Sequence, residues 1–245
     1  MKNVLIYISP TKSFNNPHPN PNLLNDAGVS VKVQIENSLR LGWKVEDILL
    51  YTNFEFQYGV VKATVLPDVE FFEPDPRANK INPIVKLFEK ELINGRELYW
   101  FHDLDAFQLY PITESELKLG KADMALADYR PLLNQWSTIT IFFKKSSIDI
   151  FYKIKKIRDR NKIYEEMAIQ ELIDNDKSIR KRIKKLNKTY KFAPHNRLSC
   201  YQKAIRPIRI VHFHPRSGIP KLDITRNVPL LPDRLIKIFH YHRIR

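Results

Sequence analysis

Runs of consecutive apolar residues alternate along this chain with stretches whose apolar positions recur every three or four residues. Val4 to Ser9 is a continuous apolar run stopped by Pro10, the pattern of a strand buried in a parallel sheet. The Asn- and Pro-rich segment beyond it (Asn15, Asn16, Pro17, Pro19, Pro21) predicts an irregular loop. Val29, Val33, Ile35 and Leu39 then fall at helical spacing, with Gly42 placed to end the helix. Asp47 to Tyr51 and Val60 to Leu66 predict short strands. Asn82 and Pro83 suit the N-cap and first turn of a second helix, which lines up Ile84, Leu87, Phe88 and Leu92 and stops at Gly95. Glu97 to Phe101 reads as a strand running straight into His102, Asp103, Leu104 and Asp105. Met124 to Ala127, Thr138 to Phe143 and Ile208 to Phe213 predict further strands; Ser146 to Arg160, Lys162 to Ile173 and Asp176 to Lys188 predict charged helices. No internal repeat interrupts this order, so it calls for an α/β sheet.

With 245 residues, 43% of them hydrophobic, the chain can bury a sizeable core. The expected organisation is one large unit with a basic tail over 216–245. Cys200 is the single cysteine, which excludes an internal disulfide framework and points to a reducing, cytoplasmic compartment. No stretch approaches the ~20 apolar residues of a membrane span, and the opening MKNVLIYISPTKSF lacks a cleavage site and reads as a first strand.

Charge divides the chain. Residues 1–125 hold 13 Lys and Arg against 17 Asp and Glu, and residues 126–245 hold 28 against 10. A basic second half suggests an anionic partner: glycan, anionic membrane surface or nucleic acid. Lys153 to Lys188 alone includes Lys155, Lys156, Arg158, Arg160, Lys162, Arg180, Lys181, Arg182, Lys184 and Lys185, and the C-terminal KIFHYHRIR interleaves aromatic and basic residues. Peripheral attachment to a membrane fits that composition; a solvated, soluble face fits it as well.

Asp103 and Asp105 stand at the C-terminal edge of a strand, where open α/β sheets bind their ligands. Two carboxylates spaced i, i+2 across a tight turn suit a hard divalent cation with oxygen ligands, and such a cation suits a departing diphosphate. The apolar YWFH before them argues against solvated loop acids, because unpaired carboxylates beside a buried strand are costly.

At these residues the sequence resembles a family. ELYWFHDLDAFQL is similar to the strand and Asp-x-Asp metal motif of GT-A-fold glycosyltransferases, NVLIYISPTKS to their first nucleotide-contacting strand and loop, and NKINPIVKLFE to the basic residue and helix upstream of the motif. The resemblance implies a GT-A-type Rossmann-like mixed sheet flanked by helices, with a basic helical C-terminal part; it covers a catalytic unit over residues 1–215, with a nucleotide-binding half over about 1–106 and an acceptor-side half over about 107–215. It implies transfer of a sugar from a nucleotide-sugar donor, UDP-linked in the commonest case, with Mn2+ or Mg2+ held by Asp103 and Asp105. Tyr7, Ser9, Thr11 and Lys12 would meet the nucleotide, and Lys80 the phosphates. The late IRIVHFHPRSGIPK resembles a family strand that delivers a metal-binding His, matched by His212 with His214 as the alternative, followed by Arg216 or Lys221 toward the phosphates. A strand with alternating His212 and His214 would equally turn both imidazoles to solvent.

On the acceptor side, NKIYEEMAIQELI resembles the element that carries an acidic residue facing the reacting sugar, so Glu166 or Glu165, with Asp128 behind them, are the expected catalytic carboxylates. Acids in a first helical turn are also favoured by the helix dipole alone. Trp136 reads equally as an acceptor platform and as a core residue. The expected acceptor is a glycan or glycolipid hydroxyl, with a nucleic-acid base kept open by the charge. The main rival is a metal-dependent nuclease or nucleotidyltransferase, which would use the same aspartates.

Overall fold

The structure, a computed structural model, describes residues 1–9, 27–74, 76–130, 135–192, 204–212 and 231–242. Strand β1 (Lys2–Tyr7) buries Val4 and Leu5 completely because it lies between two parallel neighbours, β2 (Ile48–Thr52) and β6 (Tyr99–His102). The short β5 (Thr64–Val65) continues the sheet beyond β2. On the other side β9 (Gln135–Phe143) pairs antiparallel with β6 and with β8 (Met124–Arg130), and β10 (Ile183–Leu186) closes the edge parallel to β8. The seven-stranded order is β10-β8-β9-β6-β1-β2-β5. Because only β9 is reversed, its start shares an edge with the C-terminal ends of all the others. Two antiparallel ribbons flank the sheet: β3 (Gln57–Tyr58) with β4 (Val61–Lys62), and β7 (Ala106–Gln108) with β11 (Ile210–His212).

Period-two alternation along β6 supplies both faces of the core. Tyr99 and Phe101 pack with Ile141 and Phe143 of β9 against α2 (Ile81–Glu89), α4 (Ile148–Asn161) and α5 (Glu165–Asn175), through Leu87, Phe88, Phe151, Ile154 and Ile169. Leu98 and Trp100 face the other way, with Phe142, Tyr190 and Ile210. Leu5 and Leu50 meet Val31 and Ile35 of α1 (Ala27–Arg40) on the same side of the sheet as Trp100. Two small helices, α3 (Glu114–Leu117) and α6 (Lys177–Arg182), complete the frame, and α7 (Asp233–Tyr241) docks beside α1.

Several elements differ from the sequence expectation. Asn82 is not an N-cap: a 3-10 turn over Pro76–Lys80 runs directly into α2, and Asn82 lies inside the helix with its side-chain amide donating to Glu70 O at 2.7 Å. The helix stops at Glu89, before Gly95, as Glu91 takes a left-handed φ of 55°. Val60 to Leu66 divides between β4 and β5. Asp176 to Lys188 is not one helix; Asp176 caps α6 by accepting from Ser178 N and Ile179 N, and Ile183–Leu186 then becomes an edge strand in register with Met124–Ala127. Burying Ile183 and Leu186 against the sheet overrides the local helical pattern, and Lys184 and Lys185 stay half-buried, Lys184 donating to Lys118 O and Lys185 pairing with Asp128.

Asp233–Tyr241, within the stretch read as a basic tail, buries Leu235, Ile238 and Phe239 with Val33 and Phe107. The Phe239 ring meets Phe107 edge-on at 4.9 Å. Phe239→Ala should therefore cost about 3–5 kcal/mol in urea denaturation; a loss under about 1 kcal/mol would show that α7 contributes little to the folded body.

Candidate active site

The turn after β6 is built to hold two carboxylates apart. Asp103 N donates to Ile139 O at 2.9 Å, and Ala106 N donates back to Asp103 O at 3.0 Å, so the chain reverses tightly into β7. Gln34, only 1% exposed on α1, fixes this turn by donating from one amide nitrogen to Leu104 O at 3.0 Å and Ala106 O at 2.8 Å. Asn37, one turn along, donates to Gln108 O at 2.9 Å. The carbonyls on either side of Asp105 are thereby tied to a helix rather than to water. Below them, His102 is buried with Nε2 3.1 Å from Asn3 Oδ1, and burial pushes its imidazole down to about 4, so it stands neutral as part of the frame.

Lys80 is the centre of the charge arrangement. It is 7% exposed, and its Nζ lies 2.7 Å from Asp103 Oδ1, 2.9 Å from Asp103 Oδ2 and 2.9 Å from Glu165 Oε1. Thr138 Oγ1 donates to Glu165 Oε1 at 2.7 Å, and Thr138 N donates to Glu166 Oε1 at 3.2 Å. Residues 80, 103, 138, 165 and 166 thus meet at one point on the sheet edge. Burial opposes the charge on Lys80, but Asp103 and Glu165 outweigh it and hold the ammonium above its ordinary range. Burial also pushes the Asp103 carboxyl up, to about 7, against the pull of Lys80, with Asp105 and Glu165 adding to the rise. Burial and then the neighbouring Glu165 raise Glu166. One lysine facing several carboxylates leaves an excess of negative charge, which a cation would relieve.

His212 reaches the same edge through β11, whose register sets His212 opposite Ala106. Its Nε2 stands 3.3 Å from Asp105 Oδ1. Adjacent ligands of an octahedral cation with metal–oxygen distances of 2.0–2.1 Å are about 3 Å apart, so this nitrogen–oxygen pair fits two neighbouring positions of one shell. Among the described residues no group of three His, Cys, Asp or Glu side chains gathers to hold a metal by itself. Asp105 and His212 could contribute to such a shell, and Asp103, whose two oxygens contact Lys80, keeps lone pairs that could join them.

Tyr7 and Ser9 end β1 at this edge. Ser9 and Asn53 exchange two bonds of 2.9 Å, joining the loops after β1 and β2, and the Tyr7 ring packs edge-on against Phe54 at 4.9 Å and Phe56 at 5.6 Å. Asp128 pairs with Lys185 at 3.1 Å, while Lys185 also lies over the buried Trp136 ring at 5.1 Å. Thr11, Lys12, His214, Arg216 and Lys221 lie outside the described residues. The basic stretch is less uniform than its sequence suggests: Lys153–Asp176, Lys155–Asp159, Arg160–Glu171 and Arg182 with Asp123 and Asp149 are ion pairs, and Arg158 is buried.

Gln34, Asn53 and Thr138 had no place in the sequence reading. Gln34 and Asn37 carried a signal, as amides among the apolar positions of a helix; nothing local marks Asn53 or Thr138.

No family model matches the chain, and no curated protein matches it. Solved structures similar to it include a glycosyltransferase involved in the glycosylation of the major capsid of PBCV-1, with a TM-score of 0.58 at 13% identity over 94% of this chain and 100% of that one. The galactosyltransferase LgtC in complex with donor and acceptor sugar analogs gives 0.57 at 11% identity over 97% of this chain and 100% of that one. At these identities the likeness is one of fold, and the fold is the GT-A-type mixed sheet.

Proposed function

We propose that the protein is a metal-dependent glycosyltransferase that moves a sugar from a nucleotide diphosphate, UDP by preference, to a hydroxyl of a glycan or glycolipid. The observation that carries this is the convergence of Lys80, Asp103 and Glu165 beside the Asp105–His212 pair, at the ligand-binding edge of a GT-A-type sheet. Asp103, Asp105 and His212 would together hold a manganese or magnesium ion. Such an ion, when bound, neutralises charge on the departing diphosphate.

The chain's own residues divide the remaining work. Tyr7 and Ser9, at the end of β1, would meet the nucleotide, a role the sequence resemblance extends to Thr11, Lys12 and Lys221. Lys80 would offset part of the carboxylate charge beside the phosphates without reorganisation, because its position is already set by Asp103 and Glu165. Glu165 is engaged through Oε1, whereas its buried Oε2 has no hydrogen-bond partner among the described residues and suits a sugar hydroxyl. Glu166, raised by burial, is matched to accept the acceptor's proton. Asp128 stands behind them, paired with Lys185.

Incubation with manganese and a panel of UDP-, GDP- and ADP-sugars tests this by release of nucleoside diphosphate. One donor should be turned over, and Glu166→Gln should slow transfer by about 10²-fold or more with folding retained. Turnover of no donor, with manganese-dependent cleavage of nucleic acid instead, would assign the site to phosphodiester chemistry.

A further inference from the structure

We propose that Arg158, a residue of α4 outside the site, is the positioning residue that presents Lys80 to it; this rests on the reading of Lys80 as part of a donor site. Arg158 is 1% exposed, and its guanidinium lies over the Phe72 ring at 4.1 Å. Nη1 donates to Ala78 O at 2.9 Å and Nη2 to Asn82 Oδ1 at 2.5 Å. These acceptors lie two residues before and two residues after Lys80, where the 3-10 turn passes into α2.

The surrounding bonds complete a brace. Asn79 accepts from Phe72 N at 2.6 Å and donates to Phe72 O at 3.2 Å, and Asn82 donates to Glu70 O at 2.7 Å. Segment 70–72, the turn 78–82 and α4 therefore interlock through one planar cation. Asp159 accepts from Nε at 2.9 Å and balances the charge, so the guanidinium itself is settled. Lysine cannot copy this: a single ammonium lacks the rigid fork that spans two acceptors. Loosening the brace would free Lys80 to leave Asp103 and Glu165, and the fixed charge would be lost while the fold persisted.

Lysine acetylation followed by mass spectrometry reads this directly. In Arg158→Lys, Lys80 should label on the order of 10-fold faster, while the buried Lys188 and Lys191 keep their wild-type rates. Asn82→Ala, which removes one arm of the brace and leaves Arg158 in place, should move Lys80 the same way and serves if Arg158→Lys does not fold. Binding of the best of ADP, GDP, CDP and UDP with manganese should weaken in Arg158→Lys, with no further loss in a Lys80→Met background. Unchanged Lys80 labelling, equal acceleration of all three lysines, or equal losses of affinity in both backgrounds would overturn the proposal. The expected labelling without nucleoside diphosphate binding by the wild type would overturn the donor site and leave the brace standing.

Discussion

Lys80→Met is expected to destabilise the protein by about 3 kcal/mol, at the lower end of the range for removing one partner of a buried ion pair. The substitution leaves Asp103 and Glu165 facing one another without the ammonium that separates them by 2.7 and 2.9 Å contacts. Asp103 keeps a 24% exposed side chain and can draw on water, which places the expected loss toward the low end. For a domain of this size it corresponds to a fall in Tm of roughly 6–12 °C. Glu165→Gln in the Lys80→Met background should recover part of it, because it removes one of the stranded charges, although the same change in the wild type is destabilising. Calorimetry of the four proteins reads the sign of that coupling. A Lys80→Met loss under about 1 kcal/mol would show that the network carries no charge strain.

Asp105→Ala is expected to act in the opposite manner, with a large loss of transfer and little loss of fold. Its side chain is 35% exposed and its carboxylate lies on a turn held by Gln34, so stability should change by about 1 kcal/mol or less. Neutralising a diphosphate leaving group contributes several kcal/mol, and removing the carboxylate should slow sugar transfer by on the order of 10³-fold. Initial rates with the active donor at saturating manganese measure it. A tenfold loss or smaller would remove Asp105 from the metal and leave it as a partner of His212.

Strands β1 and β6 were legible in the sequence because a strand covered on both faces must be apolar throughout, and Val4 to Ile8 and Tyr99 to Phe101 are. The carboxylates at the end of β6, the late strand with His212 and the acid-headed helix α5 could likewise be anticipated, through local pattern joined to a family resemblance. Asn82 misled because a capping residue and a buried amide look alike until the preceding 3-10 turn is known. Ile183 to Leu186 misled because pairing with β8, some 60 residues earlier, decides the conformation of a segment whose own composition favours helix. Arg158 stood in a run of bases and reads as surface, since its acceptors on Ala78 and Asn82 are 80 and 76 residues away. The same distance hid Gln34, whose carbonyl partners lie 70 and 72 residues downstream. The residues proposed to carry chemistry were visible as types; the residues that hold them in place are defined by contacts that no local pattern encodes.

Thermal unfolding with ADP, GDP, CDP and UDP, each with and without manganese, tests the donor site most directly, since a ligand of the native state raises its stability by mass action. The expected result is stabilisation by one nucleoside diphosphate, UDP in the first instance, that requires manganese and is lost in Asp105→Ala. Equal melting temperatures with and without every nucleotide, or a shift that persists unchanged in Asp105→Ala, would contradict it.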